Sequence, residues 1–291
     1  MIPTLPKLGL AAAQFGLGAA TPPRGRTPQS ETQAIFEVAA RAGLSVLDTS
    51  GVYGQGESLL GDLLPRPTPF RVTLGAARCD RGPDFAEAEA RASLKRLKLT
   101  RADAIIVQAP SDLFGPHGAA TWQRLCQLRD EGLFAKVGVA VHASDDPVGI
   151  ARRFRPDIVQ APAGLLDQRL LVDGALAQIA ALGIEVQLRS IFLNGLLFLP
   201  PDRIPAPLKG ASGSISRVRR LIAEGRSDPL QAALGFALSR KEATAVLVGV
   251  ASAAELSAVV AAAASPPPDL DWDGMALEDP DVLQEGRWAA A

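Results

Sequence analysis

The chain has 291 residues, of which 47% are apolar and 21% are charged, as in ordinary globular proteins. Its 30 basic and 31 acidic residues nearly cancel, and no basic stripe with interleaved aromatic residues is present, so we expect no nucleic-acid partner. No uninterrupted apolar run reaches the roughly 18 residues that span a membrane, and the two cysteines lack metal-ligand spacing, so we expect a cytoplasmic protein with reduced thiols, no membrane contact and no metal site.

Segments of strand character alternate with segments of helical character along the whole chain. Strands are predicted at residues 9–16, 44–50, 70–76, 102–110, 135–142, 156–164, 184–192 and 244–250. Helices, with apolar residues recurring every three or four positions, are predicted at residues 30–43, 57–64, 84–99, 118–132, 145–154, 172–183, about 215–224, 229–239 and 251–264. A long loop rich in glycine and proline is expected at 193–214, and a proline-rich tail, about 265–291, is expected to lie along the outside.

This alternation gives about eight strand–helix units. Nearly continuous apolar strands, such as "AIIV" and "TAVLV", suit a parallel sheet that is buried on both faces. The count and the length favour a single (β/α)8 TIM barrel, one domain over residues 1–291 with a C-terminal tail. A doubly wound open sheet is the alternative, but it needs a glycine-rich phosphate turn, and "GLGAATPPRG" is not G-x-G-x-x-G followed by a helix.

In such a barrel the functional side chains lie at the carboxyl ends of the strands. The residues at or just beyond those ends are Asp48, Tyr53, Leu74, Gln108, His142, Gln160, Arg189, Ser190 and Gly249. Tyr53 is the only tyrosine of the chain and follows Asp48 by five positions. Asp48 and Tyr53 are therefore candidates for a proton-transfer pair, and a strand that ends in a polar loop is the plainer interpretation.

The segment "LDTSGVYGQGESLLGDLL" resembles the signature of the aldo-keto reductase family. Further segments agree with that family in the same order: "SLKRLKLTRADAIIVQAP", "LRDEGLFAKVGVAVH", "PDIVQAPAGLLDQR", "GIEVQLRSIFLNGLL" and "AVLVGVASAAEL". The resemblance covers about residues 8–260 and implies a barrel that transfers a hydride reversibly between NADP(H) or NAD(H) and a carbonyl. "LLDQR" and "LRSIFLNGLL" are more similar to a bacterial branch found among sugar and surface-polysaccharide genes than to mammalian aldose reductases.

The resemblance implies a catalytic tetrad of Asp, Tyr, Lys and His, of which two members match. Asp48 and Tyr53 stand at the positions of the aspartate and of the tyrosine, which is the family's general acid. Leu74, in "VTLGAA", stands at the lysine position, and Gln108, in "VQAP", stands at the histidine position. Without the lysine we expect a raised pKa for a buried Asp48 and a weaker acid at Tyr53. Gln108 can still donate an N–H to a carbonyl oxygen.

For the cofactor, the resemblance implies contacts at the ends of the sixth, seventh and eighth strands. These are Gln160 to the nicotinamide amide, Arg189 stacked on the nicotinamide or paired with phosphate, Ser190, Asn194, Gly195 and Leu196 over the diphosphate, and Gly249 and Ala251 in the phosphate turn before a helix. The family's Ser-Asn pair is Ala140-Val141 here, and its later Asn is Val259. The basic residue that often binds the 2′-phosphate is missing, so the choice between NADP(H) and NAD(H) stays open, and weak binding is an alternative.

Other interpretations of three basic side chains stay open. His117, in the loop after the fourth strand, is a candidate to reach the carbonyl, and a solvated loop histidine is the alternative. His142 lies near the nicotinamide position, and a histidine hydrogen-bonded to backbone is the alternative. Arg189 has an ion pair with a loop carboxylate as its alternative, because a charge inside a barrel needs a partner.

Three functions are compatible with these patterns. The first is an NAD(P)H-dependent oxidoreductase of aldo-keto reductase type that interconverts a carbonyl and an alcohol on a small or sugar-like substrate, impaired or specialised by the two missing tetrad residues. The second is an inactive or repurposed homologue that binds a ligand or partner. The third is a non-redox lyase or epimerase that uses Tyr53. We expect a monomer or a small homo-oligomer.

Overall fold

Eight short segments rich in apolar residues are strands in the computed structural model of this chain, which describes residues 5–16, 27–51, 56–284 and 288. They are β1 Leu8–Ala11, β2 Val46–Ser50, β3 Arg71–Gly75, β4 Ala102–Val107, β5 Phe134–Ala140, β6 Ile158–Pro162, β7 Glu185–Arg189 and β8 Ala243–Gly249. Each strand pairs in parallel with the next, and β8 pairs with β1, so the sheet is closed. The predicted (β/α)8 barrel is confirmed.

Helices connect the strands and cover the outside of the barrel. They are α1 Ala13–Gly16, α2 Gln29–Arg41, α3 Gly56–Leu63, α4 Pro83–Arg96, α5 Gly118–Asp130, α6 Pro147–Phe154, α7 Arg169–Val172, α8 Ala175–Ala181, α9 Ser212–Glu224, α10 Pro229–Ser239, α11 Ala253–Ala264 and α12 Pro280–Leu283. Side-chain oxygens of Asp146, Asp228 and Ser252 accept backbone N–H groups at the starts of α6, α10 and α11, which fixes where these helices begin. No helix in the described ranges is long and apolar enough to cross a membrane.

Three predicted elements differ from the structure. The first predicted strand, 9–16, is a strand only as far as Ala11 and continues as the helical turn α1. The predicted helix 172–183 is interrupted at Gly174, whose φ of 74° lies in the left-handed region that ends a helix. The predicted loop 193–214 contains three 3₁₀ segments before α9 begins: Leu193–Phe198, Pro201–Arg203 and Ala206–Ala211.

The closed sheet separates two sets of apolar side chains, because successive residues of a strand point to opposite faces. Leu47 and Leu74 belong to the outward set and pack in the main core between barrel and helices. Val46 and Ile106 belong to the inward set, which fills the barrel in smaller clusters. A side chain at Gly138 would collide with Ile106, so small residues on some strands make room for large ones on their neighbours.

The tail and the segment after β7 share a second apolar core. The tail residues that contribute to it are at most 5% exposed: Met275, Leu277, Val282 and Leu283. Their partners include leucines at 193–208, and the N–H of Leu277 donates to the carbonyl of Leu166 at 2.9 Å. This part of the tail is therefore built into a core and does not simply line the outside, because its apolar side chains leave water only by packing against the loops.

An ion pair between a buried glutamate and a half-buried arginine joins α3 to α4. Glu57 is fully buried, and its Oε2 accepts a hydrogen bond from Nε of Arg96 at 2.7 Å. Arg96 also lies beside Gly51, where an added side chain would come within 3.1 Å of Nη2. Gly51 and Glu57 stand on either side of residues 52–55, so the guanidinium of Arg96 bonds to Glu57 after that connection and lies close to Gly51 before it.

Arg96→Met is expected to lower the free energy of unfolding by about 2–4 kcal/mol, because it leaves the buried carboxylate of Glu57 without its partner. Urea unfolding followed by circular dichroism measures the change. Lys98→Met is the matched control, since Lys98 pairs with Asp62 where both side chains are more than half exposed, and such pairs contribute about 0–1 kcal/mol. Equal losses in the two variants would contradict the prediction.

Candidate functional site

Asp48 lies inside the barrel near the carboxyl end of β2 and is 9% exposed. Its Oδ1 accepts a hydrogen bond from Nε2 of Gln160 at 2.8 Å. Gln160 belongs to β6, and in the closed sheet three strands separate β2 from β6 in either direction. The hydrogen bond therefore crosses the barrel interior, and both side chains point inward.

Gln187, on β7, extends this pair to a network of three side chains. Nε2 of Gln160 also donates to Oε1 of Gln187 at 3.1 Å, and both glutamines are at most 2% exposed. A glutamine amide nitrogen carries two hydrogens, so both donors of Gln160 are used within the protein. We call Asp48, Gln160 and Gln187 the interior network. Only Oε1 of Gln160, an acceptor, is left for the expected contact with a nicotinamide amide.

Burial raises the pKa of Asp48 to about 6, because the carboxylate loses hydration. The hydrogen bond from Gln160 and the positive charge of Arg189 act in the opposite direction and are smaller. At neutral pH the carboxylate is therefore mainly ionised, and an ionised carboxylate only accepts hydrogen bonds, which orients the amide nitrogen of Gln160 toward it. The pKa of Asp48 is thus raised, as expected for a buried aspartate that has no lysine partner.

The residue that aligns with the family lysine does not face the barrel interior. Leu74 is 1% exposed and packs in the main core outside the sheet. The inward residue at the end of β3 is Gly75, where an added side chain would collide with Ser50 and come within 3.3 Å of Cγ of Gln108. Leu74 therefore supplies no side chain to the interior at the position that the resemblance gives to the lysine, because side chains alternate along a strand and the inward position is a glycine.

Gln108 follows β4 and is half-buried on the inner face, next to Gly75. Tyr53 lies outside the described residues, so its pairing with Asp48 stays a prediction. His117 is exposed and lies beside Gly82 at the start of α5, on the rim of the barrel. A contact of His117 with a substrate carbonyl also stays a prediction.

Arg189 brings a positive charge to the carboxyl-end opening of the barrel, which we call the mouth. Its Nη2 donates to the carbonyl of Val141 at 3.0 Å and lies 3.4 Å from Nδ1 of His142. Partial desolvation, and then the charge of Arg189, lower the pKa of His142, which favours the neutral imidazole. Arg189, at the end of β7, and His142, just beyond the end of β5, are therefore neighbours at the mouth.

The segment after β7 turns sharply at the mouth. Ser190, Asn194 and Gly195 have φ angles of 57°, 48° and 85°, in the left-handed region. Asn194 is exposed, and turns of this kind can present backbone N–H groups to an anion. Leu196 is fully buried in the second apolar core, so its side chain packs within the protein and is not available to a cofactor.

The turn after β8 is lined with hydrogen-bond acceptors. The N–H of Ala251 donates to Oε2 of Glu255 at 2.8 Å, and the N–H of Ala253 donates to Oε1 of Glu31, which lies on α2. Oγ of Ser252 accepts the N–H of Glu255 at 3.1 Å, so α11 is capped by side chains of this chain. The helix start that the sequence predicts to be a phosphate turn is thus already in contact with two carboxylates.

Two residues of the site, Gln187 and Glu31, are not among those predicted from the sequence. Gln187 carries a usable signal, because it is a polar residue within an apolar strand and lies two positions before Arg189, hence on the same face. Glu31 lies 222 residues from Ala253 in the chain, and no local pattern predicts their contact. Within the described ranges no three His, Cys, Asp or Glu side chains cluster as a metal ion would require.

Asp48→Asn is expected to stabilise the protein at pH 7 and to change little at pH 4. The folded-state pKa is about 6 against 3.8 in the unfolded chain, so the destabilisation is absent below about pH 4, grows as the pH rises from about 4 to 6, and is complete above that. The full difference between wild type and variant corresponds to roughly 3 kcal/mol. Urea unfolding over this pH range measures it, with the exposed Asp202→Asn as control. A difference that shrinks as the pH rises would refute the prediction.

The chain resembles known proteins in sequence over most of its length and in its barrel fold. Residues 9–275 match the sequence profile of the Aldo/keto reductase family. L-galactose dehydrogenase from Arabidopsis thaliana is 30% identical over 278 residues, which cover 87% of this chain and 85% of that protein. An aldo-keto reductase from Mycolicibacterium smegmatis is 28% identical over 126 residues, which cover 42% of this chain and 44% of the relative.

The chain spans about half the length of the mycobacterial relatives it matches. Among solved structures, the holo form of an aldo-keto reductase from Bacillus halodurans has a TM-score of 0.73 at 19% identity, covering 96% of this chain and 91% of that chain. At this identity the likeness shows a common fold. Because the family profile extends over most of the barrel, the chain belongs to the aldo/keto reductase family.

Proposed function

We propose that the protein is an NAD(P)-dependent oxidoreductase that interconverts a carbonyl and an alcohol on a small, sugar-like substrate. Membership of the family supports the oxidoreductase activity, and the name of the plant relative, L-galactose dehydrogenase, supports a sugar-like substrate. The observation that carries the proposal is the position of Asp48, buried inside the barrel two residues before the carboxyl end of β2. The connection that contains Tyr53 therefore starts from the mouth.

Tyr53 and Gln108 are the proposed catalytic residues. A bound nicotinamide dinucleotide supplies the hydride in reduction and accepts it in oxidation. The hydroxyl of Tyr53 gives its proton to the substrate oxygen as the alcohol forms, and it takes the proton back in the reverse direction. The amide of Gln108 donates an N–H to the same oxygen and so orients the carbonyl. Asp48 is already held by Gln160 and acts through charge and position.

The residues at the ends of β7 and β8 are proposed to hold the cofactor. Arg189 and the turn at Asn194–Gly195 suit the diphosphate, because a guanidinium and backbone N–H groups attract an anion. Gln160 offers the nicotinamide amide only its Oε1, as both of its donors serve the interior network. These contacts support a dinucleotide with fewer hydrogen bonds at its nicotinamide end than the family resemblance implies.

An inactive or repurposed homologue is the second candidate function. The commitment of both Gln160 donors to Asp48 and Gln187 is the observation that favours it, because a cofactor contact has been exchanged for an internal one. Such a protein would bind a dinucleotide or another ligand at the mouth without turnover.

Tyr53→Phe is expected to lower kcat by about 10²–10⁴, the usual contribution of a general acid. Because the phenyl ring keeps the shape of the side chain, the Kd of the dinucleotide should change by less than about threefold, or roughly 0.6 kcal/mol. Turnover is followed by NAD(P)H absorbance with a panel of aldoses, ketoses and small aldehydes, and Kd by fluorescence quenching. Asp202→Asn is the control.

The outcomes separate the candidates. If wild type turns over a substrate and Tyr53→Phe does so at the same rate, Tyr53 is not part of the mechanism. Tight dinucleotide binding by wild type without turnover on any substrate favours the repurposed homologue. If wild type binds neither NADH nor NADPH, the proposed oxidoreductase activity is wrong.

A further inference from the structure

The carboxylate of Asp48 has one oxygen that no protein group binds in the described part of the chain. Oδ1 accepts the N–H of Gln160, and no hydrogen bond or ion pair within the described ranges reaches Oδ2. The guanidinium of Arg189 acts on Asp48 through its charge alone and donates to the carbonyl of Val141. Buried charges in proteins are usually paired with an opposite charge, whereas the direct partner of this carboxylate is a neutral amide.

A hydroxyl without a partner lies on the neighbouring strand. Thr73 of β3 is in register with Asp48 of β2, so the two side chains point to the same face of the sheet, which is the barrel interior. Thr73 is fully buried, and its Oγ1 has no hydrogen-bond partner among the residues that the structure describes. A buried polar atom without a partner is costly, so it favours a ligand that supplies one.

Gln160 supplies a third acceptor. Both hydrogens of its amide nitrogen are donated to Asp48 and Gln187, so its Oε1 is the atom left for a ligand. The interior thus presents three oxygens, Oδ2 of Asp48, Oγ1 of Thr73 and Oε1 of Gln160, and the first belongs to a carboxylate. A primary ammonium group matches them, because it carries one positive charge and three N–H donors.

The amide nitrogen of Gln187 indicates a second feature of the ligand. Gln187 is 1% exposed and accepts through Oε1, while its Nε2 donates to no atom of the described residues. An amide N–H requires an acceptor, and a hydroxyl oxygen next to the ammonium group would provide one. A primary amine beside a hydroxyl is the arrangement found in amino sugars and amino alcohols.

We propose that the substrate carries a primary amine, and that its ammonium group binds Asp48, Thr73 and Gln160 inside the barrel. The inference rests on the proposed oxidoreductase function and names its substrate class, which is amino sugars and shorter amino aldehydes with their alcohols. The ligand thereby brings the positive charge that the described residues do not place against the carboxylate.

The position of Gln108 sets the distance between the amine and the reacting carbonyl. Gln108, which is proposed to orient the carbonyl, lies beside Gly75, and Gly75 is in register with Ser50. Ser50 is two residues nearer the mouth than Asp48, or about 6–7 Å along the strand. The amine therefore binds deeper than the carbonyl, and a short carbon chain joins the two groups.

The test measures the binding of ligands that are matched except for the amine. 3-Amino-1,2-propanediol is paired with glycerol, and glucosamine is paired with glucose and with N-acetylglucosamine. Each ligand is titrated at pH 7 by isothermal titration calorimetry, which requires no turnover, with and without NADH. Circular dichroism and thermal unfolding show that each variant is folded.

Three variants separate the charge from the hydroxyl and from general effects on the sheet. Asp48→Asn removes the charge and keeps the shape, and Thr73→Val removes the inward hydroxyl. Thr49→Val is the matched control, because Thr49 is also buried with an Oγ1 that has no partner in the described ranges. Thr49 is in register with Leu74, which packs outside the sheet, so its hydroxyl faces away from the interior.

We expect wild type to bind each amine at least about tenfold more tightly than its uncharged partner, because the hydrogen bond to Asp48 is charge-assisted. Asp48→Asn should abolish this preference. Thr73→Val should weaken amine binding about two- to fivefold, and Thr49→Val should leave it unchanged. Equal affinities of wild type for amine and hydroxyl ligands, a preference that survives Asp48→Asn, or equal effects of the two threonine variants would overturn the inference.

A metal cation is the other ligand that three oxygens can hold, so the titrations are repeated in KCl, NaCl and choline chloride at equal ionic strength. Equal amine affinities in the three salts support the inference, whereas strong competition by K⁺ or Na⁺ would assign the oxygens to a metal ion and overturn it. An amine preference in a protein that turns over no substrate with either dinucleotide would reject the proposed function alone. Turnover of sugars without any amine preference would reject this inference alone.

Discussion

The carboxylate of Asp48 is buried inside a closed barrel, and a buried charge must be hydrogen-bonded. The family resemblance implies a lysine for this purpose, and here the donor is the amide of Gln160 from the opposite side of the barrel. A neutral amide compensates the charge less well than an ammonium group, and the pKa of Asp48 is accordingly raised to about 6. Together with the bond to Gln187, this hydrogen bond uses both amide donors of Gln160 within the protein.

The mouth of the barrel thus divides into two regions of different character. Around β7 the groups are positive or donating, with the guanidinium of Arg189 and the left-handed turn at Asn194–Gly195. Around the start of α11 they are accepting, with the carboxylates of Glu31 and Glu255 bonded to backbone N–H groups.

Packing outside the barrel holds the mouth in place. The second apolar core joins the segment after β7 to the tail, and Arg96 bonds to Glu57 on α3 while lying close to Gly51. The second apolar core and the ion pair both hold connections that leave the carboxyl ends of strands. Barrel enzymes place their functional groups at these ends. Stability and site geometry therefore depend on the same contacts in this chain.

The fold could be predicted from the sequence because apolar strands alternating with amphipathic helices leave few ways to bury both. Gln108 and Arg189 lie at strand ends as expected, whereas Asp48 lies two residues before the end of β2. The orientation of Leu74, the burial of Leu196 and the role of Gln187 required the structure, because they depend on which face of a strand or loop meets the core. The contact of Glu31 with α11 depended wholly on tertiary structure. It joins residues 222 positions apart, and only the pairing of the first strand with the last brings them together.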